Sequence, residues 1–117
     1  MLISQSDIFD VPQTKDTILE IREGSTTGRI LSFKNLRDQV LRVEIHKSDD
    51  GGTTWTVMEQ PIVLGPAGSE LEEQMKDIDA EGFLKIQASG GRGNGDMAIV
   101  FVRTCPNQPA VWSGPRI

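Results

Sequence analysis

The chain has 117 residues, of which 37% are hydrophobic and 25% charged, and its formal net charge is −5. This length fits one domain, and the negative charge disfavours nucleic acid as a partner because phosphate binding needs clustered cations. No apolar run approaches the roughly 20 residues of a membrane helix, and the amino terminus lacks the basic start and long apolar block of a secretory signal. A single cysteine, Cys105, allows no internal disulfide, which suits a reducing cytoplasm.

The first half of the chain contains three strand patterns. Residues 1–16 mix apolar and polar side chains without a sustained period, which predicts an N-terminal arm ordered by a neighbouring molecule. Strands are predicted at 17–22 and 29–34. The run 41–46 is the clearest, because its apolar side chains alternate with polar ones, as expected of a strand with one buried face.

The segment Ser48-Asp49-Asp50-Gly51-Gly52-Thr53-Thr54-Trp55 follows this strand and predicts a tight hairpin. Asp50 is placed to accept hydrogen bonds from turn amides, and Gly52 to adopt a positive φ. The returning strand would begin at Thr54, with the Trp55 ring under the hairpin. The predicted structural residues are Ser48, Asp50, Gly52, Thr54 and Trp55.

This segment matches the S-x-D-x-G-x-T-W pattern at every defined position, and so resembles the Asp-box hairpin of sialidases and many other β-proteins. In those families the box is a structural turn remote from catalysis, and the resemblance implies the same role here. A sialidase propeller needs several blades of about 40–50 residues each, whereas this chain could supply two.

The second half of the chain continues the strand pattern. Strands are predicted at 61–64, 83–89 and 96–104, the last of which is nearly all apolar and therefore central or covered on both faces. Residues 69–78 leave two alternatives open. A serine and a glutamate at capping-box spacing favour one or two helical turns, whereas a sandwich favours an edge strand. The glycine-rich run 90–95 lacks the spacing of a dinucleotide cradle and predicts a flexible loop.

About seven short strands at spacings of roughly 8–12 residues predict an all-β fold, an immunoglobulin- or fibronectin-III-like sandwich. The predicted domain spans residues 17–104, between the N-terminal arm of residues 1–16 and an extended, proline-rich C-terminal arm of residues 105–117. The run 78–88 resembles the corner before the sixth strand of fibronectin type III domains, although Leu84 stands where that family has tyrosine. The predicted core comprises Ile18, Leu31, Phe33, Leu41, Val43, Ile45, Trp55, Val57, Leu84, Ile86, Ile99 and Phe101.

Candidate catalytic and metal-binding residues are few. His46, the single histidine, lies on the polar side of a predicted strand, and a zinc site needs about four ligands. Ser48 belongs to the hairpin and Cys105 to the proline-rich segment, so neither is a predicted nucleophile. Asp77-Ile78-Asp79-Ala80-Glu81-Gly82 imitates the start of a calcium loop, but the twelfth position is Ala88 where that loop has a bidentate Glu. The prediction is a non-enzymatic protein without catalytic residues, metal or cofactors.

Both predicted arms carry large apolar side chains that a compact domain has little need for. Arms of this kind lace subunits together in lattice proteins, where the main chain supplies hydrogen bonds and the side chains fill pockets. The predicted partner-binding residues are Ile8, Phe9, Val11, Val111 and Trp112.

The arms, the small acidic sandwich and the Asp-box hairpin together resemble virion proteins of tailed bacteriophages, most of all small capsid decoration (cement) proteins. The resemblance implies a virion protein, assembled in the host cytoplasm, that binds the capsid surface and bridges neighbouring major capsid subunits as a dimer or trimer. The net charge and the lack of a long apolar run predict no nucleic acid or membrane partner. Two alternatives stay open. A carbohydrate-binding or adhesion module of a tail or larger assembly requires an exposed aromatic platform, and a small hydrolase requires His46 in a cleft beside a nucleophile.

Overall fold

The computed structural model describes residues 2–22, 29–58, 61–78, 82–104 and 112–113, with side chains described between residues 6 and 102. This part of the chain forms strands and no helix, so none of it is a helix that could cross a membrane. The strands are β1 (Leu2–Phe9), β2 (Asp16–Ile21), β3 (Arg29–Asn35), β4 (Leu41–Ser48), β5 (Thr56–Val57), β6 (Ile62–Leu64), β7 (Glu73–Ile78), β8 (Phe83–Ser89), β9 (Met97–Thr104) and β10 (Trp112–Ser113).

The strands form two antiparallel sheets. Sheet A has the order β1-β9-β3-β7, and sheet B has the order β10-β2-β8-β4-β5, with β6 also paired to β4. Since β5 and β6 pair with successive parts of β4, they act as one interrupted strand. β1 therefore pairs with β9, β2 with β8, β3 with β7, and β4 with β5 and β6. This is the pairing of one long hairpin wrapped into two layers. This is the topology of a jelly roll.

The predicted all-β sandwich is confirmed, but its strand order is not that of an immunoglobulin or fibronectin III domain. In an immunoglobulin sandwich the first two strands belong to one sheet. Here β1 lies in sheet A and β2 in sheet B. The spacing of strand patterns along a sequence reports strand lengths and turns, and leaves open which strands pair.

The core lies between the two inner faces, where alternate residues of each long strand are buried. All predicted core residues are buried except two. Val57 is 48% exposed, because it sits opposite His46 on the outer side of sheet B. Trp55 is half-buried.

Residues 2–16 do not form an arm, which corrects the prediction of an arm at residues 1–16 from the sequence. β1 pairs along its whole length with β9 in sheet A. Phe9 and Val11 are both 0% exposed and belong to the core. The local pattern concealed this strand because its partner lies far away in the sequence, and pairing with β9 satisfies the main-chain groups that an arm would leave to a neighbour.

The segment predicted as a C-terminal arm, residues 105–117, is described only at β10. There Trp112 pairs with Ile21 at the edge of sheet B. The rest of the segment, Val111 included, lies outside the described residues.

Of the two alternatives for residues 69–78, the structure has the edge strand. A turn at 66–72 precedes it, in which the Gly68 amide donates to the Glu72 carboxylate at 3.0 Å. Met75 is 72% exposed whereas Ile78 is buried, so the two side chains point to opposite sides of β7. The helical spacing of these apolar residues was therefore misleading.

Candidate functional site

The outer face of sheet A carries mostly apolar side chains. Met75 is 72% exposed, Ile8 44% and Val100 37%. Strand register places Ala98 beside Ile8 on the same side of the sheet, and it aligns further apolar residues of β3 and β9 with them. We call this set the apolar face: Ile8, Ile30, Met75, Ala98, Val100 and Val102.

Small polar residues lie between these side chains and leave the apolar face flat. Ser6 pairs with Val100, Val100 with Ser32, and Ser32 with Met75, so these four residues form one row across all four strands. We call them the central row. The charged residues of this side of the sheet lie on β3 and β7: Lys34, Glu73 and Asp77.

The outer face of sheet B is polar and charge-paired. Register aligns Glu20, Lys85 and His46 in one row. The Glu44 carboxylate contacts Lys15 Nζ and His46 Nε2, each at 3.2 Å. Burial raises the pKa of Glu44, but hydrogen bonds from Lys15 and His46 outweigh it and hold that pKa below its ordinary value. Val57 and Val63 are exposed on the same side of sheet B, 48% and 38%, so apolar side chains occur on both outer faces but lie among charged residues on sheet B.

The hairpin after β4 is organised by the side chains of Ser48 and Asp50. The Ser48 hydroxyl donates to Asp50 Oδ1 at 2.7 Å and accepts from the Gly52 amide at 2.8 Å. The amide and hydroxyl of Thr54 donate to the Asp50 carboxylate at 2.9 and 2.6 Å. Gly52 has a φ of 97°, in the left-handed region that favours glycine. The side chains of Ser48, Asp50 and Thr54 are thus engaged within the turn.

These hydrogen bonds also set the ionisation of Asp50. The bond from the Thr54 hydroxyl, together with those from the Thr54 amide and the Ser48 hydroxyl, lowers the pKa of Asp50 to about 2. An ionised carboxylate accepts hydrogen bonds from its donors more strongly than a neutral acid does. The turn is therefore held by a charged acceptor at neutral pH.

Trp55 packs on the outer side of sheet B and not in the core. A Cβ added to Gly52 would lie 3.6 Å from the Trp55 ring, which shows how closely the hairpin covers it. Lys85 Nζ lies 4.5 Å from the ring centroid, a cation–π arrangement. The ring face under Lys85 is thus occupied within the chain.

Asp96 organises the glycine-rich loop, a role that sequence reasoning missed. Its side chain is 0% exposed. It accepts hydrogen bonds from the three successive amides of residues 92–94 and from the Val11 amide, at 2.9–3.0 Å, and it pairs with Arg37 Nε at 3.0 Å. The loop predicted to be flexible is therefore tied to the segment after β1. An aspartate at the end of a glycine-rich run was the available signal, because such side chains accept local amides.

Burial raises the pKa of Asp96, and the hydrogen bonds oppose it. The amides of Arg92 and Val11, the Arg37 side chain and the Asn94 amide outweigh the burial, so the pKa of Asp96 lies below its ordinary value. A depression of about 370 Å³ lies beside this loop. Arg92, which lines it, is engaged by the Asp38 carboxylate at 3.1 Å.

The structure separates the five predicted partner-binding residues. Ile8 lies on the apolar face. Phe9 and Val11 are buried in the core, so their prediction as partner contacts is wrong. Phe9 follows Ile8 in β1 and points to the opposite side of the sheet, and the Val11 amide is bonded to the buried Asp96. Trp112 belongs to β10, and Val111 lies outside the described residues.

The other candidates are engaged within the chain or fall outside the described part. The His46 ring contacts Glu44, and Ser48 is bonded within the hairpin. Within the described residues, no group of three or more His, Cys, Asp or Glu side chains is placed to hold a metal ion. Cys105 and residues 79–81 of the calcium-like segment are not among them.

Comparison with known proteins gives little similarity. No family model matches the chain, and no curated protein matches it. Among solved structures, it is similar to a chain in the structure of infectious bursal disease virus, Gx strain, with 13% sequence identity and a TM-score of 0.40. The match covers 98% of this chain and 36% of that one. A TM-score of this size assigns neither fold nor function.

Proposed function

We propose that this protein is a non-enzymatic structural component of a virion, which binds the capsid surface and bridges neighbouring major capsid subunits. The observation that carries the proposal is the contrast between the two outer faces. Sheet B presents paired charges with Val57 and Val63 among them, whereas sheet A presents the apolar face. Contiguous exposed apolar surface on a soluble protein is typical of a protein-interaction site.

The composition of β9 supports a covered sheet A. This strand is apolar on both sides: Met97, Ile99 and Phe101 are buried, while Ala98, Val100 and Val102 point outward. An antiparallel sheet with one face in water normally alternates apolar and polar residues. A strand that is apolar on both sides is suited to a sheet covered on both faces, and a partner protein would supply the second cover.

Further support comes from hydrogen bonds that engage the candidate hydrolase residues, and from analogy with proteins of similar fold or sequence. Ser48 and His46, which a hydrolase would require, are bonded within the chain. Jelly rolls occur in viral capsid and lectin domains, which is an argument from fold alone. The resemblance of the sequence to tailed-bacteriophage decoration proteins adds the capsid surface as the binding site. The proposed contacts with the capsid are the residues Ile8, Val111 and Trp112 from the sequence prediction, together with the other residues of the apolar face.

Co-sedimentation tests this function. Purified protein would be mixed with expanded capsids of a tailed phage prepared without it. We expect it to pellet with the particles up to a fixed stoichiometry and to raise the temperature at which they disassemble, since a bridge between subunits opposes their separation. Protein that stays in the supernatant, or that binds without raising the disassembly temperature, would contradict the proposal.

A carbohydrate-binding or adhesion module is the second candidate. Trp55 could offer a platform, and it is half-buried with Lys85 on its ring. Sugar stacking there would have to displace the lysine. Accessibility of the tryptophans to a fluorescence quencher, with and without oligosaccharides, discriminates the two functions.

A further inference from the structure

We propose that Asn94 is a site of spontaneous deamidation, and that the Asp10 carboxylate slows this modification by holding the Gly95 amide. Asparagine is a chemically labile residue, most of all before glycine, because a following residue without a Cβ leaves its amide nitrogen open to react. The sequence contains a single Asn-Gly pair, Asn94-Gly95, in the loop between β8 and β9.

The reaction needs only the chain and water. The Gly95 nitrogen gives its proton to hydroxide and attacks Cγ of Asn94, and a C–N bond forms. The side-chain nitrogen of Asn94 takes up a proton and leaves as ammonia, so that a succinimide ring remains. Water then opens the ring at either carbonyl. One opening gives aspartate, and the other gives isoaspartate, in which the main chain passes through Cβ.

The structure holds the two reacting groups differently. Asn94 is exposed, and within the described residues no hydrogen bond engages its side-chain amide. The Gly95 amide, by contrast, donates to Asp10 Oδ1 at 3.0 Å. The carbon that is attacked can therefore move, whereas the nitrogen that attacks it is engaged.

A carboxylate bonded to the Gly95 amide opposes the reaction in two ways. Loss of the amide proton removes the hydrogen bond to Asp10, which is stronger than a bond to a neutral acceptor. It also leaves a negative nitrogen beside a negative carboxylate, and their repulsion raises the barrier. Gly95 should therefore react from conformations in which Asp10 has released its amide.

The rest of the loop makes such conformations rare. The Asn94 amide donates to Asp96 Oδ2 at 3.0 Å, and the Asn94 carbonyl accepts from the Arg37 side chain. Asp96 itself is fully buried. A segment tied in this way opens with low probability, and a reaction that requires opening follows the population of the open form.

Deamidation should loosen the loop that it modifies. It adds a carboxylate to a segment that already contacts Asp10 and Asp96. Isoaspartate also lengthens the main chain between the amide that Asp96 holds and the amide that Asp10 holds. The two bonds are then no longer compatible with the same loop geometry, so the change is self-reinforcing and is not reversed by refolding.

The hairpin after β4 provides an internal comparison. Asp50-Gly51 could form the same ring by losing water. However, an ionised carboxylate is a poor target for a nucleophile, and hydrogen bonds from Thr54 and Ser48 hold the pKa of Asp50 at about 2. Asp50 should therefore remain unmodified under conditions in which Asn94 reacts.

Storage of matched variants at mildly alkaline pH, followed by peptide mass spectrometry, tests the inference. In the wild type, the mass gain from replacing NH₂ by OH should appear first at Asn94. Asp10→Ala should speed this reaction by about tenfold, the factor that corresponds to losing a hydrogen bond to a charged acceptor. Asp38→Ala is the control, because it removes an exposed carboxylate that pairs with Arg92 of the same loop, and it should leave the rate unchanged. Asn94→Gln should abolish the reaction, since a longer side chain closes the ring far more slowly.

Hydrogen exchange of the Gly95 amide is the second measurement, and it should accelerate in Asp10→Ala but not in Asp38→Ala. Circular dichroism establishes that each variant is folded. If Asp10→Ala unfolds, Asp10→Asn replaces it, because it keeps an acceptor oxygen and removes the charge, and it should still react faster than the wild type. A folded Asp10 variant that deamidates no faster than the wild type would overturn the inference. Wild-type protein that reacts first at another asparagine, or as fast when folded as in urea, would overturn it as well.

Discussion

Two aspartate side chains fix loops of this sandwich by accepting hydrogen bonds from main-chain amides. Asp96 is fully buried and ties the loop after β8 to Val11, whereas Asp50 sits in the exposed hairpin after β4. The difference in burial matters, because water can replace a lost acceptor at the hairpin and cannot readily do so around Asp96. The two residues should therefore differ in what their removal costs.

Asp96→Ala should lower the free energy of unfolding by about 3 kcal/mol or more, because it leaves several amides and Arg37 without their acceptor. Urea denaturation followed by circular dichroism measures this. Asp38→Ala is the control, since the Asp38 side chain is 81% exposed and its ion pair with Arg92 lies at the surface. Equal losses for the two variants would show that Asp96 does not organise the loop.

The stability of the fold should depend on pH through Asp50, and the direction of this dependence follows from the pKa of Asp50. That pKa is lowered from 3.8 to about 2 in the folded chain, so the stabilisation is fully present above the ordinary value and is lost as the pH falls from about 4 towards 2. Asp50→Asn should melt at a lower temperature than the wild type at pH 6. This difference in melting temperature between the variant and the wild type should become smaller as the pH falls to 3. Asp49→Asn is the control, with a side chain 73% exposed, and it should show no such gap.

At the scale of elements, the strands differed in how far the sequence determines them. β4 was predicted correctly because one of its faces is apolar throughout, with Leu41, Val43 and Ile45 all buried. β1 was missed because its partner β9 lies at the other end of the sandwich domain. β7 was ambiguous because it is an edge strand whose most exposed residue, Met75, is apolar.

The neighbours Ile8 and Phe9 test the placement of β1. Phe9→Ala should lower the free energy of unfolding by about 3–5 kcal/mol, because it empties a fully buried aromatic site. Ile8→Ala should cost less than about 1 kcal/mol when measured on the dilute protein, because Ile8 is 44% exposed on the opposite side of the strand. Similar small losses for both variants would favour the arm that the sequence alone predicts.

At the scale of the whole molecule, the fold is a set of long-range pairings. Strands near the two ends of the sandwich meet in β1 and β9, and each inner pair is nested within the outer one. The sequence did predict that β9 is central or covered on both faces, and β9 lies between β1 and β3 in sheet A. Which residues of β1, β3 and β7 complete the apolar face depends on strand register, and register across such separations has no local signal.

The same nesting determines how the molecule responds to tension. Leu2 pairs with Thr104, so the start of β1 and the end of β9 lie side by side at one end of their ladder. Pulling these two points apart loads the hydrogen bonds one pair at a time, which is the unzipping geometry and yields at lower force than shearing a whole ladder at once. If a capsid under internal pressure were attached through the amino terminus of this chain, the load would therefore separate β1 from β9. Load carried through the flat side of sheet A is shared by four strands simultaneously.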